Sequence, residues 1–160
     1  MKKKQAASIL LLIPISWWGY RMTRYALTDK EKEIDLMART IYGEARGEGL
    51  NGMQAVANVI MNRVNAGKWY GRTVKDVVLK PWQFSCWNEN DPNRNKILNV
   101  TTADNTFLAA TSIAKSAYAG ELPDITYGAT HYHVYTMTPV WIGKMTKTAQ
   151  IGNHIFYRED

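Results

Sequence analysis

Glu44 is the residue whose type and position most suggest chemistry. It lies three positions after Ile41 and seven after Met37, so on a helix it sits at the edge of an apolar stripe. A carboxyl partly removed from water there is suited to general acid work near neutral pH. Gly43 beside it leaves room for a substrate to approach the backbone, and Glu48 follows one turn on. On spacing alone Glu44 is a candidate acid and no more, because most glutamates so placed are solvated charges at a helix end.

Two further clusters could do chemistry. The first is the run Pro81-Trp82-Gln83-Phe84-Ser85-Cys86-Trp87-Asn88. Aromatic faces stack on sugar rings and side-chain amides bond hydroxyls, which suits a glycan groove; the same aromatics serve equally well to bury a helical core. The second is His131-Tyr132-His133, followed by Trp141 and His154. On a strand, His131 and His133 share a face, and His154 on a neighbouring strand would complete a three-histidine zinc site of the kind a zinc amidase uses. No His-Glu motif or ligand spacing supports a metal, so the histidines read as groove-lining or hydrogen-bonded groups, with no metal or cofactor. Cys86 is the single cysteine, which excludes an internal disulfide, and no histidine at an informative spacing marks it as a nucleophile.

The elements that must carry these groups are mostly helical. Thr28-Asp-Lys-Glu31 is a capping box, and Ile34, Met37, Ala38, Ile41 and Ala45 follow at helical spacing until Gly47 and Gly49. Asn51 is placed to cap a second helix with Met53, Val56, Ala57, Ile60 and Val64 on one face and Gly67 as its stop. Thr73 starts a short third helix that Pro81 stops, and residues 82–103 read as a long loop. Asp104 caps a helix bearing Phe107, Ala110, Ala114 and Ala117, closed by Gly120. Beyond Pro123 the pattern alternates, at Thr130 to Tyr135 and again at Ile155-Phe156-Tyr157, as strands do. The class is α+β, mostly helical with a small C-terminal antiparallel β element.

The chain has 160 residues, room for one domain and a short appendage. Its net charge of +6 is not spread evenly. Lys2, Lys3, Lys4, Arg21 and Arg24 precede any acid, and without them 15 basic residues face 14 acidic ones. The near-neutral body argues against nucleic acid as a partner. The five charges flank an uncharged run, Gln5 to Tyr20, with Trp17, Trp18 and Tyr20 at its end. That is the layout of an apolar N-terminal helix serving as an uncleaved signal anchor, with residues 5–20 in the inner membrane, ahead of a cleaved export signal and, last, a soluble buried helix. The division is then residues 1–24 as signal segment and 25–160 as catalytic domain.

Several separated blocks together resemble one family. Ala38-Arg-Thr-Ile-Tyr-Gly-Glu44-Ala-Arg-Gly-Glu48 is similar to the signature of the SleB/CwlJ-type cell wall hydrolases. The likeness continues through Gly52 to Val64, at Gln83-Phe-Ser-Cys-Trp87, at Ala129-Thr-His-Tyr132, and at Ile151-Gly-Asn-His154 with Phe156-Tyr157. It covers roughly residues 33–158. The resemblance implies a lysozyme-like fold and cleavage of peptidoglycan between N-acetylmuramic acid and N-acetylglucosamine. In spore-cortex members of the family the reaction is a lytic transglycosylation. The catalytic residue carries over to Glu44, and Gln83, Phe84, Trp87, His131, Tyr132 and His154 carry over as motif positions; together with Tyr42, Glu48, Ser85 and Trp141 these are the expected glycan-binding residues. Where spore members have an Asn-Pro turn after the His-Tyr pair, this chain reads His133-Val-Tyr135. A hydrolysing lysozyme needs a second carboxylate, whereas a transglycosylase needs one. A small wall-degrading enzyme on an uncleaved anchor is also similar to the signal-arrest-release lysins of phages. The expected product is an exported, monomeric enzyme acting on glycan strands, used for lysis or wall remodelling.

Overall fold

Thr28 caps the first helix as its spacing predicts: its hydroxyl accepts from the Glu31 N–H while the Glu31 carboxylate takes the Thr28 N–H. The structure, a computed structural model, describes residues 27–160. The apolar N-terminal segment and its reading as an anchor lie outside the described residues. Among the described residues no helix is long and apolar enough to cross a membrane.

Five helices precede three strands. They are α1 (Asp29–Ala45), α2 (Gly49–Ala66), α3 (Val74–Val78), α4 (Arg94–Asn99), α5 (Asn105–Tyr118), β1 (His131–Val134), β2 (Met145–Ile151) and β3 (His154–Glu159). Short 3-10 turns occupy Ser85–Trp87 and Ile142–Lys144. Two expectations are corrected. Helix α2 begins at Gly49, not after an Asn51 cap, because Gly49 takes a φ of +69° that lets the chain reverse directly after α1. Residues 82–103 are not one loop: they hold the first 3-10 turn and α4, whose only buried residue is Ile97.

Helix α1 lays Met37, Ala38, Ile41 and Ala45 against Val56, Ala57 and Ile60 of α2 and against Phe107, Ala110 and Ala114 of α5. The alanines on α5 let the helices approach closely. Helix α2 is buried on two sides, because Ala55 and Val59 form a second cluster with Ala129 and Phe156 under the sheet. It is the spine on which the helical and β parts meet.

The sheet has the order β1-β3-β2 and is antiparallel throughout. Tyr132 faces Phe156 and Val134 faces His154 across the β1–β3 ladder, while His131 faces Tyr157 and His133 faces Ile155. Directly opposed residues share a face. Tyr132, His154 and Phe156 therefore point to one side, toward α2, and His131, His133 and Tyr157 to the other.

Candidate active site

Glu44 stands in the last turn of α1, part-buried, with both carboxylate oxygens engaged. Oε1 accepts from the Cys86 N–H at 3.2 Å, and Oε2 accepts from the Tyr132 hydroxyl at 2.9 Å. The helix, the 3-10 turn and β1 thus converge on one carboxyl. The turn can come this close because residue 43 is glycine: a Cβ there would lie 2.7 Å from the Cys86 Cβ. Burial pushes the Tyr132 phenol well above its ordinary value, with the Glu44 charge adding to it, so the hydroxyl stays a donor. The buried Cys86 thiol is pushed up by burial first and by Glu44 second, which keeps it protonated and unreactive.

Arg63 braces both donors from behind. Its Nε donates to the Thr130 carbonyl at 2.8 Å, two residues before Tyr132, and its Nη1 donates to the Gln83 Oε1 at 3.2 Å, three residues before Cys86. The guanidinium is buried, lies 4.9 Å from the Phe84 ring centroid and 5.6 Å from that of Tyr70, and has its pKa lowered by burial. Sequence reasoning did not single it out. The available signal was a charged residue three positions after Ile60 on the apolar stripe of α2.

Glu48, on the loop after α1, serves the fold. Its Oε2 accepts from the Asn153 N–H at 2.8 Å and its Oε1 from the Asn153 Nδ2 at 3.0 Å, fastening the β2–β3 turn to the α1–α2 corner. Those bonds, the backbone one foremost, hold the carboxyl below its ordinary range. The same hairpin carries His154, which packs edge-on against Tyr132 at 5.1 Å. The His154 Nδ1 is buried with no hydrogen-bond partner among the described residues. Burial lowers the pKa of His154 and of His131 from 6.5.

The sign of the pH dependence follows. A carboxyl with a lowered folded pKa stabilises fully above its ordinary range and loses that contribution as the pH falls through it. Histidines held neutral by burial add a loss that begins as the pH drops below about 6.5, where the unfolded chain takes up protons first. Glu48→Ala is expected to cost about 1 kcal/mol at pH 7, after discounting for solvent, which is roughly 2–5 °C in Tm. The difference from the parent should shrink toward zero as thermal melts are taken from pH 7 to pH 3. A difference that does not change with pH would refute the latch.

The other expected site residues divide. Trp87 flanks the site and its Nε1 donates to the Thr40 Oγ1 at 2.9 Å, while Ser85 is exposed on the turn before it. Gln83 and Phe84 lie beneath: Gln83 Nε2 donates to the Tyr70 carbonyl and Phe84 is a core residue. Tyr42 points away from Glu44, buried against Phe107 with its hydroxyl on Asp104 at 3.0 Å. His131 and His133 both contact Trp141, on the opposite face of the sheet from His154. This corrects the three-histidine reading: the register of β1 on β3 keeps His154 from meeting the other two. Among the described residues no three histidine, cysteine or carboxylate side chains come together as metal ligands.

Two cavities open here. A small one, about 230 Å³, is lined by Gly43, Glu44, Arg46, Gly47 and Glu48. A larger one, about 620 Å³, runs between the residue 79–82 turn and the segment 87–92, and Glu44 is not among its lining residues. The two share no lining residue, and neighbouring segments connect them. Arg46 of the small cavity donates to Asn93 at 2.6 Å, and Trp87 of the large one directly follows Cys86.

Residues 47–157 match the family model described as Cell Wall Hydrolase. The chain is 34% identical over 134 residues to the spore cortex-lytic enzyme of Oceanobacillus iheyensis, with 79% of this chain and 41% of that protein covered. It is 35% identical over 127 residues to the spore cortex-lytic enzyme of Halalkalibacterium halodurans, covering 79% of this chain and 34% of that one. It therefore spans less than half the length of these curated relatives. The crystal structure of the catalytic domain of the Bacillus cereus SleB protein superposes with a TM-score of 0.64 at 29% identity, over 88% of this chain and 99% of that one. The catalytic domain of the germination-specific lytic transglycosylase SleB from Bacillus anthracis gives a TM-score of 0.60 at 29% identity, over 84% and 98%.

Proposed function

The chain belongs to the SleB/CwlJ-type cell wall hydrolase family, and from that premise we propose that it cuts peptidoglycan glycan strands at the bond between N-acetylmuramic acid and N-acetylglucosamine. The observation that carries this reading is the Glu44 carboxyl at a cavity wall with each oxygen held by a separate donor. The reaction is lytic transglycosylation with Glu44 as the single acid and base. Protonated Glu44 gives its proton to the glycosidic oxygen as the bond to the muramic acid C1 breaks. The resulting carboxylate takes the proton of the muramic acid 6-hydroxyl, whose oxygen closes on C1. The product is a 1,6-anhydro sugar, and Glu44 is protonated again. The Cys86 N–H and the Tyr132 hydroxyl hold the carboxylate in place between the two steps.

The engagement of Glu48 by Asn153 supports a one-carboxylate reaction. Its presence in the same cavity as Glu44 favours one second reading, a hydrolytic muramidase in which Glu48 assists water. Mass spectrometry of digested sacculi separates them. Fragments ending in anhydro-muramic acid, one water lighter than reducing-end fragments, are expected. Reducing ends would overturn transglycosylation, and free stem peptides would overturn glycan cleavage altogether.

We further infer that residues 25–160 form the catalytic domain, that residues 1–24 send it out of the cytoplasm, and that the apolar run 5–20 holds it at the inner membrane as a releasable lysin. The five cations flanking that run support the topology. Recovery of the full chain in the cytoplasmic fraction would overturn it.

A further inference from the structure

Resting on that reading, we propose that Trp82 is the stacking platform of a subsite for N-acetylglucosamine, in the larger cavity beside the turn that bonds Glu44. Trp82 is the most conspicuous misfit in the fold. It is 86% exposed, so it contributes little to the core. Its φ is +69°, a region that suits glycine and is costly for a bulky aromatic side chain. The cause is local. The Gln83 N–H closes a turn on the Lys80 carbonyl at 3.2 Å, with Pro81 second and Trp82 third. In turns with proline second and a positive φ third, glycine is favoured at the third position. The chain cannot relax, because the Gln83 side chain is pinned by Arg63 and by the Tyr70 carbonyl. Stability alone would select glycine or asparagine here. An exposed indole kept in a strained turn, facing a cavity, is explained by what it binds.

The cavity has the chemistry of a neutral sugar site. About 620 Å³ is room for one or two hexosamine rings. Trp82 and Trp87 both line it, and the Trp87 indole is fixed by its bond to Thr40. An apolar sugar face can lie on the exposed Trp82 ring while Asn88 and Asn90 bond hydroxyls and the acetamido group. Glu89 and Asp91 on the same wall disfavour the acidic lactyl-peptide arm of muramic acid. Lys80, the lining cation, is already turned onto the Trp69 carbonyl and ring. The subsite therefore takes the unsubstituted sugar of the strand, and one turn, Ser85–Trp87, connects it to Glu44: the Cys86 N–H bonds Glu44 and Trp87 lines the cavity.

The test uses the full chain carrying Glu44→Gln and a neutral probe, the β-1,4-linked N-acetylglucosamine hexamer. Adding Trp82→Ala should weaken its binding roughly tenfold, the scale of uncovering one stacked aromatic face. Trp82→Phe should recover most of that loss, and the Tm of Trp82→Ala should stay within about 2 °C of the parent, because alanine keeps the Cβ and the turn while only an exposed ring is lost. In the active enzyme, Trp82→Ala should raise KM on glycan chains and leave kcat within about twofold. Equal hexamer affinity in the parent and Trp82→Ala overturns the subsite, as does a larger fall in Tm or loss of folding, which would make the indole structural. The two proposals fail separately. If the chain with Glu44 intact releases no glycan fragments yet hexamer binding depends on Trp82, the cleavage reading falls and the subsite stands. If it cleaves with no contribution from Trp82, the reverse holds.

Discussion

Glu44→Gln should abolish clearing of purified sacculi, by about 10³-fold or more, while the protein melts within about 2 °C of the parent. Glutamine has the same shape, so the Cys86 N–H can still donate to an amide oxygen. The Tyr132 hydroxyl can turn to accept from the amide nitrogen in place of donating to Oε2. The packing around Gly43 and Cys86 is untouched. What disappears is the proton that the proposed reaction gives and takes back. General acid–base catalysis contributes about 10²–10⁴-fold, and in the proposed reaction one group serves both proton transfers, which places the expected loss in the upper half of that range. Turbidity loss of a sacculus suspension measures it, with circular dichroism as the control for folding. Retained lysis would remove Glu44 from the chemistry.

Part of this arrangement was legible in the sequence, and the reason differs from residue to residue. The Thr28 box, the α1 stripe and the Asp104 cap are local: each depends on side chains within a turn of one another, and each stands where its spacing predicts. Glu44 was legible for the same reason, as a carboxyl on the edge of that stripe. Its two donors were not, because Cys86 and Tyr132 lie 42 and 88 positions away and meet it only through tertiary packing. The alternation of His131 and His133 was readable. The face of His154 was not, because it depends on the register that the Gly152–Asn153 turn imposes on β3. Helix α4 escaped notice because one buried residue in six makes no period. Tyr42 is two residues from Glu44, and two steps of about 100° turn it to the far side of the helix, into the core.

Arg63→Met is expected to be the most damaging single change away from Glu44. Two opposed effects decide its size. Removing a buried guanidinium relieves a desolvation cost, and a chain of similar length can fill the volume between Phe84 and Tyr70. Against this, the Thr130 carbonyl and the Gln83 side chain lose their donors in a buried setting, at about 1–3 kcal/mol for each orphaned acceptor. The second effect is larger, for a net loss of about 2–3 kcal/mol, or roughly 5–15 °C in Tm. Packing alone does not explain the consequence for activity. Arg63 ties together the two segments that supply the Cys86 N–H and the Tyr132 hydroxyl, and Glu44 relies on both. At a temperature well below the melt, where the variant is folded, kcat should still fall by about tenfold or more, because a carboxyl displaced by even 1 Å loses much of its catalytic geometry. Arg63→Lys should not restore it, since one ammonium cannot reach both acceptors as the planar guanidinium does. A variant with parental kcat below its melt would show that Arg63 serves the fold alone, and that the hydroxyl and the amide find Glu44 without it.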